Sequence, residues 1–270
     1  TMSKRIAFVA GGPSHGAGAH EHNAGCLLMA KLLNESVDGV EAVVHNNGWP
    51  EDNSFFEGAD ALVVYSDGGQ RHPAIPQLQF IDGFAKQGKG IALLHYGVEV
   101  PAEEGGKEFL EWTGGYFEMH WSVNPHWDAN FTELPGHPIN NGVPPFEMND
   151  EWYFHMRFQE NMEGVTPILS AVAPETTMER PDGPHSGNPD VRKAVANGEP
   201  QHLAWARERE DGGRGFGFTG GHYHSNWARE DLRKFILNAL CWTAAMDVPE
   251  NGFETPTPSE EDMAANLDPK

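Results

Sequence analysis

The chain has 270 residues, with 18 Lys and Arg against 40 Asp and Glu, so its formal charge is −22. That acidic surplus excludes a general nucleic-acid binder and is repelled by an anionic membrane surface. No apolar run reaches the ~18 residues needed to span a bilayer. A hydrophobic content of 39% with 10% aromatics is enough for a packed core. The unusual count is histidine, at 14. The two cysteines, Cys26 and Cys241, lie in apolar helix-like stretches without zinc-finger or CxxC spacing.

Residues 5–10 (RIAFVA) read as a buried strand running into Gly11-Gly12. A helical period follows from Glu21, with Ala24, Leu27, Leu28 and Leu32 on one side. Residues 40–44 and 61–65 read as strands. Ile75, Leu78, Ile81 and Ala85 mark a second helix, and residues 91–94 a fourth strand ending at His95-Tyr96-Gly97. This alternation predicts an α/β fold, a mainly parallel sheet with helices on both faces. A helix is expected over 107–112, and strands over 131–134, 152–158, 166–172, 202–206 and 215–219. A turn at 207–214 makes the last two of these strands an antiparallel hairpin. Residues 174–200 are polar and Gly/Pro-rich, predicting a long aperiodic loop with a functional or mobile role. A final helix is expected over 228–245. Residues 1–249 are expected to form one domain, and 250–270 an acidic, extended or disordered tail.

Two familiar motifs fail on inspection. The glycine-rich stretch 11–18 sits between a strand and a helix, where a phosphate loop belongs. However, Glu21 stands where GxGxxG from Gly16 needs glycine, and Ala17-Gly18 stands where a Walker loop needs Lys-Ser/Thr. No nucleotide cofactor is expected. No GxSxG is present for a serine hydrolase.

The histidines are placed more suggestively. His15, His20 and His22 follow the first strand, His95 ends the fourth, and His222 and His224 follow a late strand after Gly220-Gly221. Loops beyond the carboxyl ends of the strands build the site in a doubly wound sheet. His120, His126 and His137 come from the irregular middle and could close over the same place. Taken singly, each reads more simply as a hydrogen-bonded loop residue. As a set they suit a divalent metal, zinc first, or metal-free acid–base work. Asp150-Glu151 precedes an aromatic stretch and offers a general base or a carboxylate that orients a histidine. Trp49, Trp121, Trp127, Trp152 and Trp227 flank polar residues, as a sugar site requires, although core packing explains each equally well.

Six stretches carry a resemblance: RIAFVAGGPSHGAGAHEHNAGCLLMAKLL, ALVVYSDGG, GKGIALLHYG, GGYFEMHW, GHPINNGVPPFEMNDEWYF and GRGFGFTGGHYHSNWAREDLRKFILNALCW. Together they resemble the ThuA-like, or trehalose-utilisation, family over most of residues 5–242. The resemblance implies a flavodoxin-like fold of the class I glutamine amidotransferase type. Amidotransferases place a nucleophilic cysteine where this chain has His95, so glutamine hydrolysis is not expected. It also implies a small carbohydrate substrate, such as trehalose or a 3-keto-glycoside, and hydrolysis, elimination or isomerisation. The residues put forward are His22, His95, His120, His20 and His15 for the metal, and Glu151, His222 and Asp150 for catalysis. Trp121, Trp127, Trp152, Tyr96 and His224 are put forward for the substrate. Two other readings stay open: a non-catalytic carbohydrate-binding or accessory protein, and an interaction protein using its acidic surface. No signal peptide is visible, and a soluble cytoplasmic or periplasmic chain fits equally. The sequence leaves the oligomeric state open.

Overall fold

The computed structural model describes residues 3–270. The first half alternates β1 (Lys4–Ala10), α1 (His22–Ser36), β2 (Val40–His45), β3 (Ala61–Tyr65), α2 (Leu78–Ala85) and β4 (Gly90–Leu94). Next come α3 (Gly106–Trp112), β5 (Gly115–Tyr116), β6 (Trp127–Phe131), β7 (Phe146–Asp150), β8 (Arg157–Phe158) and β9 (Val165–Val172). The chain continues with α4 (Pro189–Ala196), β10 (Pro200–Glu208), β11 (Arg214–Phe218), α5 (Glu230–Thr243) and α6 (Glu260–Ala264). Seven strands form the central sheet in the order β2-β1-β3-β4-β11-β10-β9. The first five of that order are parallel, and β10 pairs antiparallel with both β11 and β9. This is the expected α/β class with its mainly parallel sheet.

The sequence reads as unbroken apolar runs where both faces of a strand are covered. Every residue of β3 and β4 is buried. On one face α1 and α5 contribute Leu28, Leu32, Phe235 and Leu240. On the other, α2 and α3 contribute Ile81, Phe84, Phe109 and Trp112. The chain turns from β1 to β2 on one side and to β3 on the other. The crevice at the carboxyl ends of β1 and β3 is therefore a topological switch point. Among the described residues, no helix is long and apolar enough to cross a membrane.

The second half departs from expectation in four places. The strand expected over 131–134 lies earlier, at β6, and pairs with β7, which the sequence reading missed. Both alternate buried and exposed positions, so they form a half-buried ribbon. The strand expected over 152–158 shrinks to a bridge at Phe154 and the two residues of β8, because Trp152, Tyr153 and Phe154 are all buried as packing side chains. The stretch 174–200 is not aperiodic throughout: Pro189 and an Asn188 cap that accepts from Val191 N start α4.

Beyond Pro249 the chain makes a turn closed by Gly252 N donating to Pro249 O (2.8 Å), continues without helix or strand to Pro258 and then forms α6, whose Ser259 and Asp262 make a capping box. It packs back onto the loop after β1. Asp268 N donates to Glu21 Oε2 (2.9 Å), and Lys270 Nζ donates to Ala19 O (2.6 Å). A chain ending at Thr257 should therefore exchange the amide protons of residues 16–20 about tenfold faster, the loss of roughly one net hydrogen bond. Unchanged protection in hydrogen-exchange mass spectrometry would refute this.

His72 locks the turn after β3. Its Nε2 donates to Gly97 O (2.7 Å) while Nδ1 accepts from Ala74 N (3.0 Å), and burial lowers its pKa to about 4. The folded value lies below the unfolded one. This stabilisation is complete above the unfolded pKa of about 6.5 and is lost as pH falls toward about 4. In thermal melts from pH 7 to pH 4, His72→Gln should flatten the fall in stability. A variant with the wild-type slope would sink this assignment.

Candidate functional site

Four strand ends deliver side chains to one point. The loop after β1 supplies His20, β4 ends at His95, β7 leads into Glu151, and β11 leads through Gly220-Gly221 to His222. One donor atom from each lies within 4.8 Å of the others. Glu151 Oε1 is the hub, at 3.2 Å from His95 Nε2, 3.1 Å from His222 Nδ1 and 3.8 Å from His20 Nε2. His20 Nε2 and His222 Nδ1 are 3.0 Å apart. The edge of a tetrahedral zinc site with bonds of ~2.0–2.1 Å is about 3.4 Å, and these separations bracket it.

The partners on the far side of each group decide what it presents. His95 Nδ1 lies 2.7 Å from Thr219 O, and a carbonyl only accepts, so Nδ1 carries the hydrogen and Nε2 presents a lone pair. Burial keeps this fully enclosed ring neutral by lowering its pKa. His20 Nδ1 donates to Asp67 Oδ1 (3.1 Å), which turns Nε2 toward the cluster. Such pairing of the second nitrogen is the usual support of a metal-ligating histidine. Burial alone would lower the pKa of His20, but its hydrogen bonds to Asp67 and Glu151 outweigh this and raise it. Burial likewise disfavours ionised Glu151, yet the imidazoles of His20, His222 and His95 around it hold its carboxyl far below the usual range. Tyr153 stacks on His95, and its hydroxyl lies 3.0 Å from His95 Nε2 and 3.2 Å from Glu151 Oε1. His126 Nε2 is 3.4 Å from Glu151 Oε2.

Some expected residues are gathered here and others are not. His15 stacks on His20 with centroids 3.5 Å apart, at the rim. His22 lies behind the cluster. Its Nδ1 faces Gly12 O, its Nε2 is 3.7 Å from Asp67 Oδ1, and burial lowers its pKa to about 3. His120, expected as a ligand, is exposed on a turn tied to Pro184 O and is not one of the converging groups. Asp150 has no free oxygen for proton transfer. Its Oδ1 accepts from Glu151 N and His222 N, and its Oδ2 from Gly221 N and Asn226 Nδ2. Its place is therefore that of a clamp on the β11 turn. The glycines serve that clamp, since Gly221 has φ of 105° and a Cβ on Gly220 would meet Trp152 at 2.7 Å.

The substrate set also changes. Tyr96 lines a cleft beside Glu151. Trp127 and Trp152 are buried, with their indole nitrogens donating to Trp152 O and Met148 O, so neither offers a face to a sugar. Trp121 is covered by the Arg157 guanidinium and packs on His155. His224 donates to Met263 O under α6. Asp67 and Tyr153 were missed as site residues. Asp67 sits at the end of β3, where the strand-end argument applied to the histidines would have found it; Tyr153 lay in a stretch read as a strand. The thiols take no part: both cysteines lie in helices, and burial pushes Cys241 up to about 12 and Cys26 higher.

Removing the clamp should be costly. Asp150→Ala leaves the buried Gly221 amide without its acceptor and should destabilise the fold by about 1–3 kcal/mol. Urea unfolding that shows a loss below half a kcal/mol would contradict the clamp.

Comparison with known proteins fits this architecture. Among curated proteins, none matches the chain. A ThuA-like protein from Bacteroides uniformis superposes with a TM-score of 0.62 at 15% identity, covering 91% of this chain and 92% of its own. A ThuA-like protein from Parabacteroides merdae gives 0.56 at 15% identity, covering 97% and 99%. The glutaminase domain of Trypanosoma brucei CTPS with bound acivicin gives 0.44 at 9%, covering 93% and 98%, too distant to bear on chemistry. The family profile described as trehalose utilisation matches residues 14–243. That stretch runs from the loop after β1 to the last residue of α5 and contains every member of the cluster, and the chain belongs to the ThuA family.

Proposed function

We propose that the protein is a metal-assisted enzyme acting on a trehalose-type disaccharide or its 3-keto derivative. The observation that carries this is the convergence of His20 Nε2, His95 Nε2, His222 Nδ1 and Glu151 Oε1 from four strand ends. The donor set of three imidazoles and one carboxylate suits zinc. When bound, such an ion supplies Lewis-acid polarisation of a substrate oxygen. The substrate class rests on the family, described as trehalose utilisation.

The chain's own groups supply the rest. Asp67 and Thr219 O hold the rings of His20 and His95 in one tautomer each. Tyr153 covers the buried side of His95 and excludes water there. Glu151 Oε1 belongs to the cluster, which leaves Oε2 to accept a proton from water or from the carbon beside a ketone. Hydrolysis, elimination and isomerisation all use that acceptor. The burial of Trp127 and Trp152 weighs against a sugar-binding module built on stacked tryptophans. Purified chain should hold about one zinc by elemental analysis. His95→Ala and Glu151→Ala should each weaken zinc binding by more than tenfold, the scale on which even outer-shell changes act. Metal-free protein that cannot be loaded, or that turns over 3-keto-trehalose unchanged in chelator, would overturn the reading.

A further inference from the structure

A cleft of about 190 Å3 opens beside the cluster, lined by Glu151 and Tyr153 together with Tyr96, Glu99 and His185. Glu99 is 2% exposed, and its Oε1 accepts from His185 Nε2 at 2.8 Å. Nothing in the histidine cluster uses this pair. His185 is well seated: its carbonyl accepts from Asn124 N (3.0 Å) and Arg180 Nη2 (3.1 Å), and its ring packs on Phe117. With Nε2 committed to Glu99, Nδ1 is the nitrogen left for a ligand.

Each reaction open to this site takes a proton from one atom and returns one to another. Glu151 Oε2, outside the donor cluster, can take. The Tyr153 hydroxyl is already committed between His95 Nε2 and Glu151 Oε1. His15 Nδ1 faces Ser14 Oγ (2.9 Å) and Asp67 Oδ1 (3.6 Å) at the rim. His126 has its Nδ1 on Tyr223 and its Nε2 toward Glu151. Imidazole is the side chain suited to exchange protons near neutrality, and an imidazole held by a buried carboxylate is the usual form of such a donor.

Resting on the proposed function, we propose that His185 is the catalytic proton donor of this cleft and Glu99 its positioning residue. As donor His185 carries a hydrogen on each nitrogen, Nε2–H on Glu99 and Nδ1–H to give; in the hydrolytic case the C–O bond to the leaving sugar breaks and its oxygen takes the Nδ1 proton. The water that adds gives its proton to Glu151 Oε2. One proton is delivered and one taken, and solvent restores both groups.

The test uses zinc-loaded full chain with 3-keto-trehalose. His185→Ala should keep its zinc and KM within a few-fold while kcat falls ~10²–10⁴-fold, and added imidazole should restore part of the rate. Glu99→Gln should lower kcat at least about tenfold with zinc retained, and Glu99→Asp should recover part of that loss. A His185→Ala chain with wild-type kcat, or one that loses zinc along with activity, overturns the proposal and leaves the proposed function standing. A zinc-loaded wild type inert toward both trehalose and its 3-keto derivative overturns the function, and the donor with it.

Discussion

A carboxylate withdrawn from water needs compensating polar neighbours, and Glu151 is faced by imidazoles from three different strand ends. This one requirement organises the site. His20, His95 and His222 are far apart in sequence and share nothing except the need to bring a nitrogen to Oε1. Each is then fixed from behind, His20 by Asp67, His95 by Thr219 O and the His222 backbone by Asp150. Adjacent acids thus have opposite employments: Asp150 spends both oxygens on backbone amides, while Glu151 faces the imidazoles.

The backbone is bent to achieve this. His15, His20 and His95 have φ of 62°, 49° and 54°, in the left-handed region that non-glycine residues avoid. Such positions cost on the order of 1 kcal/mol each and persist only where the surroundings over-determine them. At His95 they do, with Tyr153 stacked on the ring and Thr219 O holding Nδ1. The bend at His95 turns a strand end into a tight turn, so the side chain enters the cluster as the chain leaves the sheet.

The parallel half of the fold was legible because its strands are buried on both faces and its helices on one. Periods of that kind survive in the residue string, as at ALVVY and in the face Leu232, Phe235, Ile236 and Leu240. The ribbon of β6 and β7 was not legible: its alternation lasts only five residues per strand, and Asp150 sits on its buried side, where a pattern reader expects an apolar residue. The cluster was half legible. The rule that loops at strand ends build the site found His20, His95, His222 and His15. It could not rank His22 against them, because whether a ring faces the crevice or the helix behind it depends on one turn of α1. It also could not place His185, which reaches the cleft from the 174–200 stretch, whose course is set by Arg180 and Arg192 bonding carbonyls within it and by Asn188 bonding His120 O.

The seating of β1 has a consequence for how this unit could be moved between proteins. The family match begins at residue 14 and stops at 243, yet β1 lies between β2 and β3, and the C-terminal segment is tied to the histidine loop. A fusion or transplant trimmed to the matched stretch would split the sheet at its switch point and leave the histidine loop without its outer anchor. A transferable stretch therefore has to extend past the family match on both sides, taking in β1 and the residues that anchor the histidine loop.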